Sequence, residues 1–89
     1  WWNDEGLKAL SARVVRAAAD DGLTHHMRAE VLCGRRGAWD TGPRSAAELM
    51  EAATHFDRSA ALNPAPAGKA MLAGDAEVCR RLARQWQGP

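Results

Sequence analysis

The fold is decided by residues 45–64, which read SAAELMEAATHFDRSAALNP. The stretch opens on a capping box, in which the Ser45 hydroxyl accepts an early backbone N–H and the Glu48 carboxylate accepts the backbone N–H of the cap. It closes on Asn63-Pro64, because a residue before proline is pushed out of the helical region. These two signals predict a helix over 46–62. Helical spacing predicts that its buried face holds Leu49, Ala52 or Ala53, Phe56 and Ala60.

The rest of the chain is also predicted to be helical. It contains no isoleucine and no tyrosine, and alanine, leucine, arginine and glutamate dominate, so strands have little to be built from. We expect further helices over about 4–21, 24–33 and 64–86, with Gly22 and Gly34 ending the first two and Thr24 capping the second. Pro64 suits the first turn of the last helix, which is expected to break near Gly74. The segment 34–45 holds three glycines and a proline and is predicted to be a loop.

Apolar residues at helical spacing predict the faces that these three helices bury. The expected core positions are Leu7, Leu10, Val14 and Ala17 on the first, Met27 with Val31 or Leu32 on the second, and Leu72, Cys79, Leu82 and Trp86 on the last.

Large apolar side chains are scarce. The chain has 89 residues and is 46% hydrophobic, but alanine accounts for 19 of those positions. A core this thin for its length favours a chain that completes its interior against a neighbour. We therefore expect an all-α, three- to four-helix antiparallel bundle or a short helical-repeat fragment, formed by residues 1–89 as a single small domain or as part of a larger chain.

Four positions of the third helix follow the pattern small, aromatic, small, proline: Ala52, Phe56, Ser59 and Pro64. This spacing resembles the second helix of a tetratricopeptide repeat, with serine in place of the usual alanine. The first-helix half of the signature is absent. Residues 24–33 would therefore have to form the first helix of the repeat, with the predicted loop 34–45 as an insertion. The resemblance implies a scaffold that binds other proteins through stacked helices. Ordinary antiparallel helices with an alanine-rich seam are the alternative.

Catalytic and metal-binding motifs are weak. Adjacent His25 and His26 point about 100° apart on a helix. Cys33 lacks the nearby second cysteine of structural zinc sites, so we expect exposed histidines. Cys79 falls on an apolar stripe, and the glycines of the loop are not followed by the Gly-Lys-Ser/Thr of a phosphate loop. The sequence predicts no enzyme, no cofactor and no metal site.

Arginine and tryptophan are the most distinctive surface candidates, because both are enriched at the centres of protein interfaces. The predicted function is non-catalytic: protein–protein interaction, or a structural subunit of a larger assembly that contacts other protein subunits. The expected partner-binding residues are Trp1, Trp2, Arg35, Arg36, Trp39 and Arg44.

A nucleic-acid-contacting accessory module is the alternative function. It would use the loop arginines together with Arg80, Arg81 and Arg84 of the last helix. The formal net charge of only +1 argues against it.

Cellular location is predicted only broadly. Two cysteines cannot form a disulfide framework, and no apolar run approaches the roughly 20 residues of a membrane span. We expect an intracellular, reducing compartment, with a mature organellar protein as the alternative. Because the sequence opens on Trp1, we expect a processed form or an excised segment.

Overall fold

The computed structural model describes residues 3–34 and 44–85, and all the regular secondary structure in these ranges is helical. The helices in chain order are α1 (Asp4–Ala17), α2 (Gly22–Cys33), α3 (Ala46–Leu62) and α4 (Pro66–Gln85). Helix α3 packs against both α2 and α4, whereas α1 packs against α2. The all-α class predicted from the sequence is confirmed. None of these helices combines the length and the apolar character needed to cross a membrane.

Helix α3 begins and ends where its local signals predict. The backbone N–H of Glu48 donates to Ser45 Oγ at 3.1 Å, and the backbone N–H of Ser45 donates to Glu48 Oε1 at 3.0 Å. Both halves of the capping box are therefore formed, and they satisfy backbone donors that a helix start leaves open. At the other end Asn63 is the C-cap, with an extended backbone.

The junction of α1 and α2 differs from the prediction. Helix α1 ends at Ala17 instead of residue 21, and α2 begins at Gly22, so Gly22 starts a helix and does not end one. Asp21, not Thr24, is the N-cap: its Oδ1 accepts the backbone N–H of Leu23 at 3.0 Å. The Thr24 hydroxyl lies inside α2 and donates to the carbonyl of Ala18 at 2.9 Å, which ties the turn to the helix.

Helix α4 begins two residues later than predicted. The side chain of Asn63 accepts the backbone N–H of Ala65 at 2.9 Å, which forms a turn, and Pro66 then takes the first helical position. The helix continues through Gly74 without the expected break. A Cβ at Gly74 would meet no atom within 4 Å, so this glycine faces open space and makes no close contact there. The predicted extension to Trp86 lies outside the described residues.

The hydrophobic core is built by α2, α3 and α4. Phe56 is fully buried among small residues that let the helices approach closely. The core members are Ala29, Leu32 and Cys33 from α2, Leu49, Ala52, Ala53 and Phe56 from α3, and Leu72, Ala76, Cys79 and Ala83 from α4. Most of the predicted core positions of α3 are thus confirmed. Met27 and Leu82, in contrast, are exposed.

Helix α1 contributes nothing to this core. Its buried residues are polar, Asp4 and Ser11. The face expected to be apolar and buried is only half-buried at Leu7, Leu10 and Val14. Helix α1 is therefore held mainly by polar contacts, for which the apolar spacing of the sequence carries no signal.

Candidate functional site

A groove opens at the end of the bundle where α2 begins and α3 ends. Its volume is about 330 Å³. Three large apolar side chains along it are exposed: Leu23 by 73%, Leu62 by 41% and Met71 by 60%. Within the described residues its lining is Asp21, Gly22, Leu23, His26, Ser59, Leu62, Asn63, Pro64, Met71 and Leu72. Helices α2, α3 and α4 thus each contribute an exposed apolar side chain to one concave surface.

One wall of the groove depends on a close approach between α2 and α3. The Ser59 hydroxyl donates to the carbonyl of Gly22 at 2.8 Å. A Cβ on Gly22 would lie 3.3 Å from the Cβ of Leu62, which is tighter than ordinary van der Waals contact. Glycine at this position therefore allows the first turn of α2 to lie against the last turn of α3.

The other wall is joined to α3 by Lys69. Its Nζ donates to the carbonyls of Ala60 and Ala61 at 3.1 and 3.2 Å. A cation at the last carbonyls of a helix satisfies open acceptors and opposes the negative end of the helix dipole. Lys69 therefore links the start of α4 to the end of α3, close to Met71.

The groove is mainly apolar and weakly acidic. Asp21 is the acidic residue of the lining, and the lining residues in the described ranges include no lysine or arginine. His26 also faces the groove, and its Nε2 lies 3.1 Å from Glu30 Oε1. The last carbonyls of α3 add little negative charge, because Lys69 already binds those of Ala60 and Ala61. The surface therefore suits an apolar group that brings a positive charge with it.

Most of the partner-binding residues predicted from the sequence lie outside the described ranges. These are Trp1, Trp2, Arg35, Arg36 and Trp39, and their roles stay predictions. Arg44 is described, and its side chain is only 8% exposed. A role for Arg44 at a binding surface also stays a prediction, and the geometry favours an internal role instead.

Arg44 joins three elements. Its Nη1 and Nη2 donate to the two carboxylate oxygens of Asp4 at 2.8 and 2.7 Å. Its Nε donates to the carbonyl of Leu32 at 2.8 Å, and Nη2 also donates to that of Val31 at 2.9 Å. The hydrogen bonds that Arg44 donates to Asp4 raise the pKa of the guanidinium. The guanidinium thus clamps the start of α1 to the end of α2, directly before the cap of α3.

Two further polar contacts hold α1. Lys8 Nζ lies 2.7 Å from Glu48 Oε2, and this bond raises the pKa of Lys8 and lowers that of Glu48. Arg28 donates through Nη1 to the carbonyl of Lys8 at 2.7 Å and to Ser11 Oγ at 3.0 Å. Helix α1 is therefore attached to both α2 and α3 through charged side chains.

The histidines and cysteines are placed as follows. The prediction of an exposed histidine pair is wrong for His25, which is buried, because its ring is covered where α2 meets α3. Cys33 and Cys79 are both buried in the core. Within residues 3–34 and 44–85, no group of three histidine, cysteine or acidic side chains is arranged to hold a metal ion.

The basic face of α4 is partly neutralised. Arg80 binds Asp57 and Glu77, each at 2.8 Å. Glu77 lies four positions before Arg81, but it pairs with Arg80, whose side chain also bridges to Asp57 of α3. Arg81 and Arg84 are exposed.

No family model, no curated protein and no solved structure matches the chain in the three comparisons. Sequence reasoning missed the groove, because Leu23, Leu62 and Met71 lie near helix ends on three separate helices. The sequence does show that each is a large apolar residue outside the helically spaced positions predicted to form the core.

Proposed function

We propose that the protein is a non-catalytic binding module of a larger assembly and that the groove between α2, α3 and α4 binds an apolar segment of a partner protein. The observation that carries the proposal is the exposure of Leu23, Leu62 and Met71 around one cavity. Exposed apolar side chains that meet around one cavity are a feature of interaction surfaces. Methionine and leucine also adapt readily to the shape of an apolar ligand.

The partner segment is expected to combine apolar side chains with a lysine or arginine. Its apolar groups would cover Leu23, Leu62 and Met71, while its cation would face Asp21. Such an arrangement places the charged contact at the rim, where it selects the partner and its orientation more than it adds affinity. The apolar centre then supplies most of the binding free energy.

The tetratricopeptide-like resemblance supports this proposal from a different direction. Ala52, Phe56 and Ser59 are buried, as a repeat helix that packs between two neighbours requires. Scaffolds of this type bind proteins on the surface that their stacked helices form. Family membership itself stays a prediction that rests on the four positions Ala52, Phe56, Ser59 and Pro64.

Nucleic-acid binding receives less support from the contacts of the basic side chains. Arg44 is bonded to Asp4, Arg80 to Asp57 and Glu77, and Arg28 to Glu51. Residues bound in this way are poorly placed to neutralise phosphates, which is the main source of affinity for nucleic acids.

The experiment is selection of a displayed library of random peptides on the immobilised chain, repeated with two variants. Met71→Glu places a charge in the groove. Met50→Glu is the matched control, because Met50 is a methionine of α3 that is 44% exposed and does not line the groove. We expect enriched peptides to combine apolar residues with lysine or arginine. They should bind the wild type and Met50→Glu, and lose at least tenfold in affinity for Met71→Glu.

Two outcomes would overturn the proposal. One is a set of enriched peptides whose affinity falls equally in both variants or in neither. The other is a dimer, measured by light scattering, that Met71→Glu dissociates and Met50→Glu does not. In that case the groove would bind a second copy of the chain and not a partner protein.

A further inference from the structure

Two histidine rings meet where α2 packs on α3. The ring centroids of His25 and His55 are 5.1 Å apart, and the ring planes are inclined by 26°. Their Nδ1 atoms are 2.9 Å apart, which is hydrogen-bond distance. His25 Nε2 lies 2.7 Å from the carbonyl oxygen of Ala19, and His55 Nε2 lies 3.3 Å from Glu51 Oε2. The two rings thus form a chain of contacts from the α1–α2 turn, through α2, to α3.

The number of protons in this chain follows from the partners at its two ends. A carbonyl and a carboxylate accept hydrogen bonds and cannot donate them, so each Nε2 atom must carry a hydrogen for both end contacts to form. The central contact needs one hydrogen between the two Nδ1 atoms. Three hydrogens on four nitrogens satisfy all three contacts, and this leaves one positive charge on the pair. With a fourth hydrogen, both Nδ1 atoms would be N–H donors, and they would face each other at 2.9 Å.

We propose that His25 and His55 form an acid-sensitive joint between α2 and α3, which holds one shared proton and opens when a second one binds. The inference goes beyond the proposed function and does not depend on the groove having a partner. The joint nevertheless lies near the groove, because the contact between Gly22 and Ser59 is about one turn away along both helices.

The charged groups around the joint come from three elements. Glu51 on α3 faces His55 and also accepts from Arg28 of α2 at 3.2 Å. The α1–α2 turn contributes the Ala19 carbonyl, followed in the chain by the exposed carboxylates of Asp20 and Asp21. Glu51 offsets one positive charge on the pair, but Arg28 is a second cation that binds the same carboxylate. Because Arg28 cancels the charge of Glu51, the cluster carries a net charge of +1 with one positive charge on the pair and +2 with two, which opposes the second.

The pH dependence follows from the proton count. Burial lowers the pKa of His55, an effect that the hydrogen bond to Glu51 opposes in part. In the unfolded chain both histidines bind a proton below about pH 6.5, whereas the closed joint binds one. The unfolded state therefore binds more protons in acid, so stability present above that pH is lost as the pH falls. The equilibrium constant for unfolding should rise up to about tenfold per pH unit.

Two measurements test the joint. Side-chain ¹⁵N NMR of the wild-type chain, titrated from neutral pH into acid, reports which nitrogens carry hydrogens. We expect the pair to titrate in two separated steps, as coupled sites do, with the second step well below the ordinary histidine pKa. Urea unfolding gives the second readout, for the wild type, for His55→Gln and for the control His26→Gln, which removes a histidine outside the joint.

Between about pH 6.5 and 4.5 the unfolding constant of the wild type should rise about tenfold more than that of His55→Gln. In His26→Gln the unfolding constant should still rise with falling pH nearly as much as it does in the wild type. Equal rises in the wild type and in His55→Gln would overturn the inference. Independent titration of both rings in the folded wild type would also overturn it, and this result can be read even if His55→Gln does not fold.

Discussion

Replacing Asp4 with alanine should release α1 while the rest of the bundle stays folded. The change removes both carboxylate oxygens that bind Arg44, at 2.8 and 2.7 Å. The side chains of Asp4 and Arg44 are 11% and 8% exposed, so the pair is largely shielded from water. Helix α1 adds no residue to the hydrophobic core, and the core contacts of α2, α3 and α4 should therefore survive its release.

The size of the effect follows from the bonds that are lost. A hydrogen bond to a charged group contributes about 1.5 to 3 kcal/mol, and breaking a buried ion pair costs about 3 to 5 kcal/mol. Arg44 keeps its bonds to the carbonyls of Leu32 and Val31, which favours the lower figure of about 3 kcal/mol. Since about 1.4 kcal/mol is a factor of ten, the opening constant of α1 should rise about a hundredfold or more.

Amide hydrogen exchange measures this opening residue by residue. Glu5→Ala is the control, because Glu5 is also an acidic residue of the first turn of α1 but is 85% exposed. It should change protection in α1 by less than about 0.5 kcal/mol. In Asp4→Ala we expect α1 amides to lose protection and those of α3 and α4 to keep it. Equal protection of α1 in both variants, or equal loss in all four helices, would refute the reasoning.

Four other changes test separate features of the fold. Lys8 holds the pKa of Glu48 below its ordinary value of 4.5. The stability that this carboxylate contributes should therefore be lost as the pH falls below that value. In urea denaturation, the stability of Glu48→Gln should fall less steeply with pH than that of the wild type. Gly34→Ala forces a side chain into the left-handed conformation at φ 66° and should lower the free energy of unfolding by about 1 kcal/mol. Gly74→Ala lies at an open helical position and should raise the free energy of unfolding by about 0.5 to 1 kcal/mol. Thermal unfolding curves that shift in the same direction for Gly34→Ala and Gly74→Ala would contradict this account. Phe56→Ala should cost about 3 to 5 kcal/mol and abolish a cooperative transition in circular dichroism, and a transition that stays sharp would place the core elsewhere.

The sequence predicts those parts of the fold that local chemistry determines. Helix α3 is predicted with both ends correct, because a capping box and an Asn-Pro pair act within a few residues of each end. The α1–α2 junction is not, because Asp21 and Thr24 are both good caps. The close contact of Gly22 with Ser59 joins residues 37 positions apart, which local signals do not reveal.

The attachment of α1 is harder to predict for the same reason. Asp4 and Arg44 are 40 positions apart, and both are residue types that are ordinarily found on the surface. Apolar spacing predicts that α1 buries Leu7, Leu10 and Val14, whereas the structure buries Asp4 and Ser11 instead. An amphipathic pattern thus indicates a helix correctly, but it does not show which contacts hold the helix in place.

The candidate site depends even more on tertiary structure. Leu23, Leu62 and Met71 come together because three helix ends meet, and each taken alone is an unremarkable apolar residue. His25 is predicted to be exposed because it lies at a helix start, yet α3 brings His55 to its ring. Residue chemistry therefore indicates what these side chains can do, and only the fold shows which of them act together.

The most direct test of the central claim is NMR mapping of the binding surface. A peptide enriched by selection is added to the ¹⁵N-labelled chain, and backbone shift changes are followed across all four helices. We predict that the largest changes lie at Gly22, Leu23, Leu62 and Met71 and that they vanish in Met71→Glu. Changes centred on another face, or changes that persist in that variant, would contradict the account.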